Sequence, residues 1–512
     1  MTWDKNSRPE GTVRDLLDSR AKHAPNAVSH IFAHDGSTLT WAQLRHKAKN
    51  ISDTLTAMGI KKGESVALCL PNSRLAILCL FGVFYGGFRA TPLNLVAGPE
   101  ALGYALSHSK SRFAFVGHGQ AELFEAALRA VPSDVTAITV SDRINWPDVG
   151  DWVPQHDVAG NDHALLMYTS GTTGRPKGVL HSHAGLLAGG WNTSLAHGLT
   201  ADDRALCVLP FFHINGLCVT LIAPLVSGGS VVVCKKFSNS RFWDQCAQFD
   251  VTWFSVVPTI ISHILHSDAE PDGETIAKIR FGRSASSALA PEVHSAFEER
   301  FKIPIIETMG LTETAAQILS NPLPPAQRKI GSPGIAFGNE VAIIDEDLKK
   351  VANGASGEVA VRGPNVMLEY LDNAEATGNS FTADGWLRTG DLGHMDEDGY
   401  VFITGRLKEL IIKGGENIAP REVDEALYGH RDVIEAAAFA RPCPRYGQRV
   451  EAAVRLRPGS AVSQSELISL CGEKLGVFKS PDRIFVLDEL PKGPSGKIQR
   501  MKLAEMTASE VG

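Results

Sequence analysis

What this chain lacks narrows what it can be. Its eight cysteines stand singly, at positions 69, 79, 207, 218, 234, 246, 443 and 471, with no CxxC pair. That argues against a zinc ribbon or a disulfide framework and suits a reducing compartment. There is no broad basic field, the formal net charge being −7, so nucleic acid is not an expected partner. The longest apolar run, residues 74–89, contains the adjacent glycines Gly86 and Gly87. It is shorter than the roughly 20 residues a spanning helix needs; a buried helix is expected and no membrane. The polar start MTWDKNSRPEG lacks a secretory core, and the end SEVG matches no peroxisomal or lipidation signal. A cytoplasmic protein is expected. No internal repeat or low-complexity tract is visible, and without a G-x-S-x-G elbow a serine hydrolase is excluded.

What is present points to a large folded enzyme. At 512 residues the chain exceeds one hydrophobic core, so at least two domains are expected. Hydrophobic residues at 44% and charged residues at 21% are ordinary for a folded chain. Residues 40–59 have helical spacing (Leu44, Ala48, Ile51, Leu55) and end at Gly59. Residues 65–70 read as a short buried strand and 75–85 as a helix. Apolar runs at 113–116, 137–140, 205–209, 230–233 and 251–256 read as parallel strands covered on both faces. The pattern predicts α/β layers through residue 404. Beyond it, Pro420 opens a helix (Val423, Ala426, Leu427) and Val450, Ala452, Val454 and Leu456 alternate along a strand. The prediction is therefore a large N-terminal domain of mixed sheets and helices, residues 1–404, and a small α+β domain, residues 410–512.

The segment richest in chemistry is YTSGTTGRPKGV, residues 168–179. Three glycines let backbone N–H groups approach an anion, the hydroxyls of Thr169, Ser170, Thr172 and Thr173 add donors, and Lys177 adds charge. This is a phosphate cradle, but not the G-x-x-x-x-G-K-[ST] loop, because Pro176 stands five residues after Gly171.

The segment resembles the phosphate loop of the adenylate-forming superfamily of acyl-CoA synthetases, adenylation domains and luciferases. Four further segments follow in that superfamily's order: MGLTE (309–313), WLRTGD (386–391), GRLK (405–408) and PSGK (494–497). The resemblance implies an enzyme that uses ATP, Mg²⁺ and coenzyme A to activate a small carboxylic acid. It implies an ATP site formed by Thr169, Ser170, Gly171, Thr172, Thr173, Gly174, Lys177, Ser286, Thr308, Met309, Gly310, Thr312, Asp391 and Arg406. Thr312 would bond a phosphate oxygen, and Glu313 would hold the metal, a hard cation that takes oxygen ligands. Asp391 and Arg406 suit the ribose hydroxyls. Lys497 would stabilise the charge that grows as pyrophosphate leaves. Residues 405–409 would be a hinge centred on Lys408, about which the small domain moves between two half-reactions. Gly414 and Gly415 would then open the passage for the coenzyme thiol, although an ordinary turn fits these glycines as well. Arg441, Arg445 and Tyr446 are candidates for the coenzyme's nucleotide. A monomer or homodimer is expected.

In relatives the acyl pocket is lined by the segments matching PFFHING (210–216) and RSASS (283–287) and by residues after the Thr-Glu pair. Here that implies His213, Asn215, Gly216, Arg283, Ser284, Ala285 and Ala316, with His213 near the acyl entrance. Serines in place of the usual glycine pair, and SNPLPP at 320–325, resemble the oxalate–CoA ligase group. Serine hydroxyls favour a short polar acid over an alkyl chain. Asn215 and Ala316 stand where that group carries histidines, and Met309 replaces the aromatic residue that stacks on adenine. The expected substrate is therefore a short acid with a polar end other than oxalate's, or a slightly larger one. Two alternatives stay open: loading of a separate carrier protein, and a non-catalytic nucleotide-binding relative.

Overall fold

The computed structural model describes residues 7–141, 156–169, 176–493 and 498–508. At Thr40 the hydroxyl accepts from the Gln43 backbone while the Gln43 side chain accepts from the Thr40 N–H, which starts the helix Trp41–Ala57. Its positions Trp41, Leu44, Ala48, Ile51 and Leu55 recur every three or four residues, and all are buried. They pack on the helix Arg74–Gly86, where Gly82 permits close approach: a Cβ there would fall 2.4 Å from Ile51 Cγ2. That second helix is the long apolar run of the sequence, buried over most of its surface. Among the described residues no helix is long and apolar enough to cross a membrane.

These helices, with His183–Ala196, form the middle of a layered larger domain. On one side lies a nine-stranded sheet. Its strands Ile305–Leu311, Phe281–Ser284, Trp253–Val256, Arg204–Cys207, Ser230–Val233 and Val28–Phe32 lie side by side and parallel. On the other side lies a seven-stranded sheet in which Arg89–Pro92, Ser65–Cys69, Phe113–Gly117 and Thr136–Val140 run parallel. The expectation of two covered faces fails for Thr136–Val140: it is the edge strand, and Val140 alone of its five residues is buried. A four-stranded antiparallel sheet completes the larger domain and ends in Val401–Arg406. Gly405 and Arg406 pair with Leu392 and Asp391, so the stretch expected to act as a hinge from 405 onward begins inside a strand. Lys408 follows on an exposed turn.

The smaller domain is built on the antiparallel pair Val433–Cys443 and Gly447–Leu456. Val450, Ala452 and Val454 face the helices Pro420–Tyr428 and Gln464–Leu475, while Ala453 faces Phe439, Phe485 and Leu503. Pro420 holds the first helical position, where its missing N–H costs little. The two domains touch: Ser262 Oγ donates to Ile434 O at 2.8 Å, and Arg421 Nη1 donates to Ile403 O at 2.6 Å.

Candidate active site

Where the domains meet there is a cleft of about 200 Å³. From the larger domain it receives Ser286, Thr308, Met309, Gly310, Asp391 and Arg406, six of the residues expected to bind nucleotide. From the smaller domain it receives Arg421, Asp424, Arg500 and Ile498, the residue that follows Lys497. Ser286, Thr308, Met309 and Gly310 stand at or just past the carboxyl ends of the strands Phe281–Ser284 and Ile305–Leu311, where α/β sheets hold their ligands.

Local geometry explains why these residues occupy these places. Ser286 has φ 75°, a left-handed bend that turns the chain into the cleft. Thr308 Oγ1 donates to Ser284 O at 3.0 Å, tying the two strand ends together. Gly310 cannot carry a side chain, because a Cβ there would sit 1.7 Å from Ala316 O. Asp391 and Arg406 are paired across the sheet: Nε donates to Oδ1 at 2.6 Å and Nη2 to Oδ2 at 3.3 Å. A carboxylate has about four acceptor sites, more than the two that Arg406 takes.

Among the charged groups of the cleft that escaped the sequence reading are Glu307, Asp424 and Arg500. Glu307 is 2% exposed; its Oε1 accepts from the Leu289 N–H at 3.1 Å and its Oε2 has no partner among the described residues. Burial raises its pKa. Asp424 accepts from Arg500 Nη1 at 3.2 Å and from the Ala438 N–H at 2.6 Å. The signal for Glu307 was available, a lone carboxylate directly after the apolar strand residues Ile305 and Ile306. No local pattern announces the Asp424–Arg500 pair.

The strands His163–Thr169 and Lys177–Ser182 on either side of the phosphate-cradle residues are antiparallel, and their described ends pair Thr169 with Lys177. Ser170, Gly171, Thr172, Thr173 and Gly174 lie outside the described residues, as do residues 494–497 with Lys497. Lys177 Nζ lies 4.4 Å from the ring centre of Tyr370, and Tyr370 Oη donates to Glu313 Oε1 at 2.8 Å. Tyr370 thus joins the cradle lysine to the expected metal ligand, a link invisible in sequence. The Thr312–Glu313 turn is fixed to the same sheet: the His181 ring lies 2.6 Å from Thr312 O, and the Met367 N–H donates to Glu313 O at 2.7 Å. Burial lowers the His181 pKa to about 4, so the ring is neutral and its Nε2–H donates. Among the described residues no three His, Cys, Asp or Glu side chains cluster to hold a metal. One carboxylate, Glu313, fits a cation that arrives with phosphate and water as its other ligands.

The residues expected to line the acyl pocket lie deeper. His213 is half-buried beside Phe212, with ring centres 4.9 Å apart. Asn215 and Gly216 open a π-helix, Asn215–Ile222, a geometry often found at functional sites. A Cβ at Gly216 would fall 2.2 Å from Pro210 O. Ser284, Ala285 and Ala316 are buried, and Ala316 has φ 82°. Arg283 is 1% exposed; its Nη1 donates to Asn215 Oδ1 at 3.0 Å and to Ser255 Oγ at 3.2 Å. Burial lowers its pKa to about 9, so it stays charged near neutrality.

Other expected residues stand apart from the cleft. Gly414 and Gly415 form the exposed tip between Ile411–Lys413 and Glu416–Ile418, with φ 60° and 88°. Two successive positive φ values are what a two-residue hairpin turn demands, so the turn alone accounts for both glycines. Arg441, a candidate for the coenzyme's nucleotide, is engaged within the smaller domain: its Nε donates to buried Glu451 Oε2 at 2.7 Å and its Nη1 to Ala504 O at 2.6 Å. It fastens the last helix to the sheet. Arg445 lies over the Tyr446 ring at 4.9 Å and stays exposed.

Known proteins resemble this chain over nearly its whole length. The family model described as AMP-binding enzyme matches residues 17–371, and that of the AMP-binding enzyme C-terminal domain matches residues 422–497. The chain is 45% identical over 511 residues to a sulfoacetate–CoA ligase of Cupriavidus necator, covering 97% of this chain and 99% of that protein. It is 37% identical over 513 residues to an oxalate–CoA ligase of Arabidopsis thaliana, covering 96% and 98%. The crystal structure of ATP-bound MatB from Rhodopseudomonas palustris superposes with a TM-score of 0.88 at 28% identity, covering 98% of this chain and 100% of that one.

Proposed function

The chain belongs to the AMP-binding enzyme family, and we propose that it is an AMP-forming ligase that joins a short polar carboxylic acid to coenzyme A. Sulfoacetate and oxalate, the acids named for its relatives, are the first to test. The observation that carries this reading is the cleft itself, where Thr308, Met309, Asp391 and Arg406 face Ile498 and Arg500 across a domain boundary.

In the first half-reaction a carboxylate oxygen of the acid attacks the α-phosphorus of ATP, and pyrophosphate leaves. Asp391 receives the ribose hydroxyls and Arg406 holds Asp391 in place. Met309 packs against adenine through its thioether, a polarizable surface in place of an aromatic ring. Lys177 and the cradle hydroxyls hold the triphosphate, so the chain's main task is alignment and charge neutralisation. Glu313 would hold Mg²⁺, which when bound neutralises phosphate charge. Lys497 donates to the carboxylate and α-phosphate oxygens as charge grows on them. In the second half-reaction the coenzyme thiolate attacks the acyl carbon, the acyl C–O bond breaks, and AMP leaves. The segment around Lys408 is the hinge we assign to the change between the two, with the smaller domain, residues 410–512, moving as a unit. Pyrophosphate release measured across short carboxylic acids, with and without coenzyme A, tests the reading. Release that requires both ATP and a short polar acid supports it; release from ATP alone, or from none of the acids, defeats it.

A further inference from the structure

Resting on that reading, we propose that Arg283 and Asn215 form a buried oxyanion site for a second acidic group on the substrate, a carboxylate or a sulfonate, so that the acid activated is a dianion. The starting point is a cation without a counter-ion. Arg283 is 1% exposed, and among the described residues no carboxylate pairs with it. Arg89, the other buried arginine among the described residues, also lacks a carboxylate, but its Nε donates to Ser65 Oγ at 2.7 Å and its Nη2 to Ser109 O at 3.1 Å, whereas the Nε of Arg283 has no partner among the described residues. An unpaired buried charge is costly, and an arginine cannot escape the cost by losing its proton near neutral pH.

The donors that remain point to an anion. Of the five guanidinium N–H groups, Nη1 uses two on Asn215 Oδ1 and Ser255 Oγ. Nη2 uses one on Gln317 Oε1 at 3.4 Å, and Nε has no partner among the described residues. Asn215 Oδ1 already accepts from Arg283 and, at 2.9 Å, from Ser255 Oγ, whereas Asn215 Nδ2 is buried and unpartnered. The side-chain amide is therefore oriented with its carbonyl spent and its N–H groups unused. What is left over is Nε–H, one Nη2–H and the Asn215 amide, all donors and no acceptor. A neutral alkyl end would strand every one of them; an oxyanion would satisfy several at once.

The depth fits a short substrate. Arg283 pairs with Ile306, and Thr308 stands two residues further along the same strand, on the same face and at about 3.3 Å per residue roughly 7 Å nearer the cleft. Thr308 lines the cleft. That short separation along the strand suits an acid whose reacting carboxylate lies at Thr308 and whose second acidic group, one or two carbons away, points toward Arg283.

The test compares dianions with uncharged-tail isosteres on the full-length enzyme: sulfoacetate against 3,3-dimethylbutanoate, and malonate against 3-methylbutanoate, each followed by ATP-dependent pyrophosphate release. The expected wild-type kcat/KM ratio favours the dianion by about 100-fold or more, as a site built of buried donors should. Arg283→Met should bring the ratio to near one, mainly through KM for the dianion, with KM for ATP unchanged. Asn215→Leu, which leaves the arginine in place, should lower the ratio by about tenfold. A wild type that prefers the uncharged tails overturns the proposal, as does a folded Arg283→Met enzyme that loses both substrates of a pair equally. If Arg283→Met does not fold, an unchanged ratio in Asn215→Leu overturns it instead. Activity on acids without any dianion preference defeats this inference and leaves the ligase reading standing; no activity on any acid defeats both.

Discussion

Arg406 and Arg283 are the same side chain put to two uses. Arg406 lies at the cleft, and its Nε and Nη2 edge is filled by both oxygens of Asp391. Arg283 lies in the core with its Nε unpartnered and an amide in place of the carboxylate. The paired arginine is neutralised within the protein and serves to position another residue. The unpaired one is balanced only when something anionic arrives. In the roles proposed for them, partner chemistry, more than burial or residue type, separates an arginine that would organise nucleotide from one that would select substrate.

The predictions probe this division, and the largest effect should come from neither arginine. Lys497→Ala should slow adenylate formation about 10³-fold or more while sparing thioester formation from supplied acyl-adenylate; single-turnover assays of each half-reaction check this, and equal loss in both would contradict it. Next, Asp391→Asn should raise KM for ATP about 100-fold without altering the ranking of acids, whereas Arg283→Met alters the ranking without changing KM for ATP. Steady-state kinetics on both variants would break the comparison if each moved both quantities. A smaller effect, about tenfold in the Mg²⁺ concentration needed for half-maximal rate, is expected for Glu313→Gln in a magnesium titration. Tyr370→Phe removes the hydroxyl that donates to Glu313 and should cost about 1 kcal/mol in kcat/KM for ATP, roughly fivefold.

Much of this was legible in the sequence because it is local. The helices Trp41–Ala57 and Arg74–Gly86 follow from spacing and caps, and the cradle segment carries its chemistry in adjacent residues. The edge position of Thr136–Val140 was not legible, since an apolar strand reads alike whether or not a neighbour covers it. Tyr370, which joins Lys177 to Glu313, and Gln317, which shares Arg283 with Asn215, come from distant segments brought together by the sheets. Glu307 gave a signal, a charge in an apolar strand, that composition alone does not weigh.

The smallest expected effect concerns pH and stability. Burial lowers the pKa of His30 to about 3 and those of His181 and His183 to about 4. Below the ordinary histidine value near 6.5, the unfolded chain takes up protons that the folded one refuses, so stability falls as pH drops from about 6.5 toward 4. Thermal melts across that range should show a falling midpoint; a flat profile would contradict the neutral, buried assignment.

The most direct test of the central account follows oxygen. Acid labelled with ¹⁸O in its carboxylate, incubated with ATP and coenzyme A, should yield AMP carrying one labelled oxygen, because the carboxylate oxygen bonded to the α-phosphorus stays there when the thiolate breaks the acyl C–O bond. AMP without label, or label found in inorganic phosphate, would show that the acid is not activated through an acyl-adenylate.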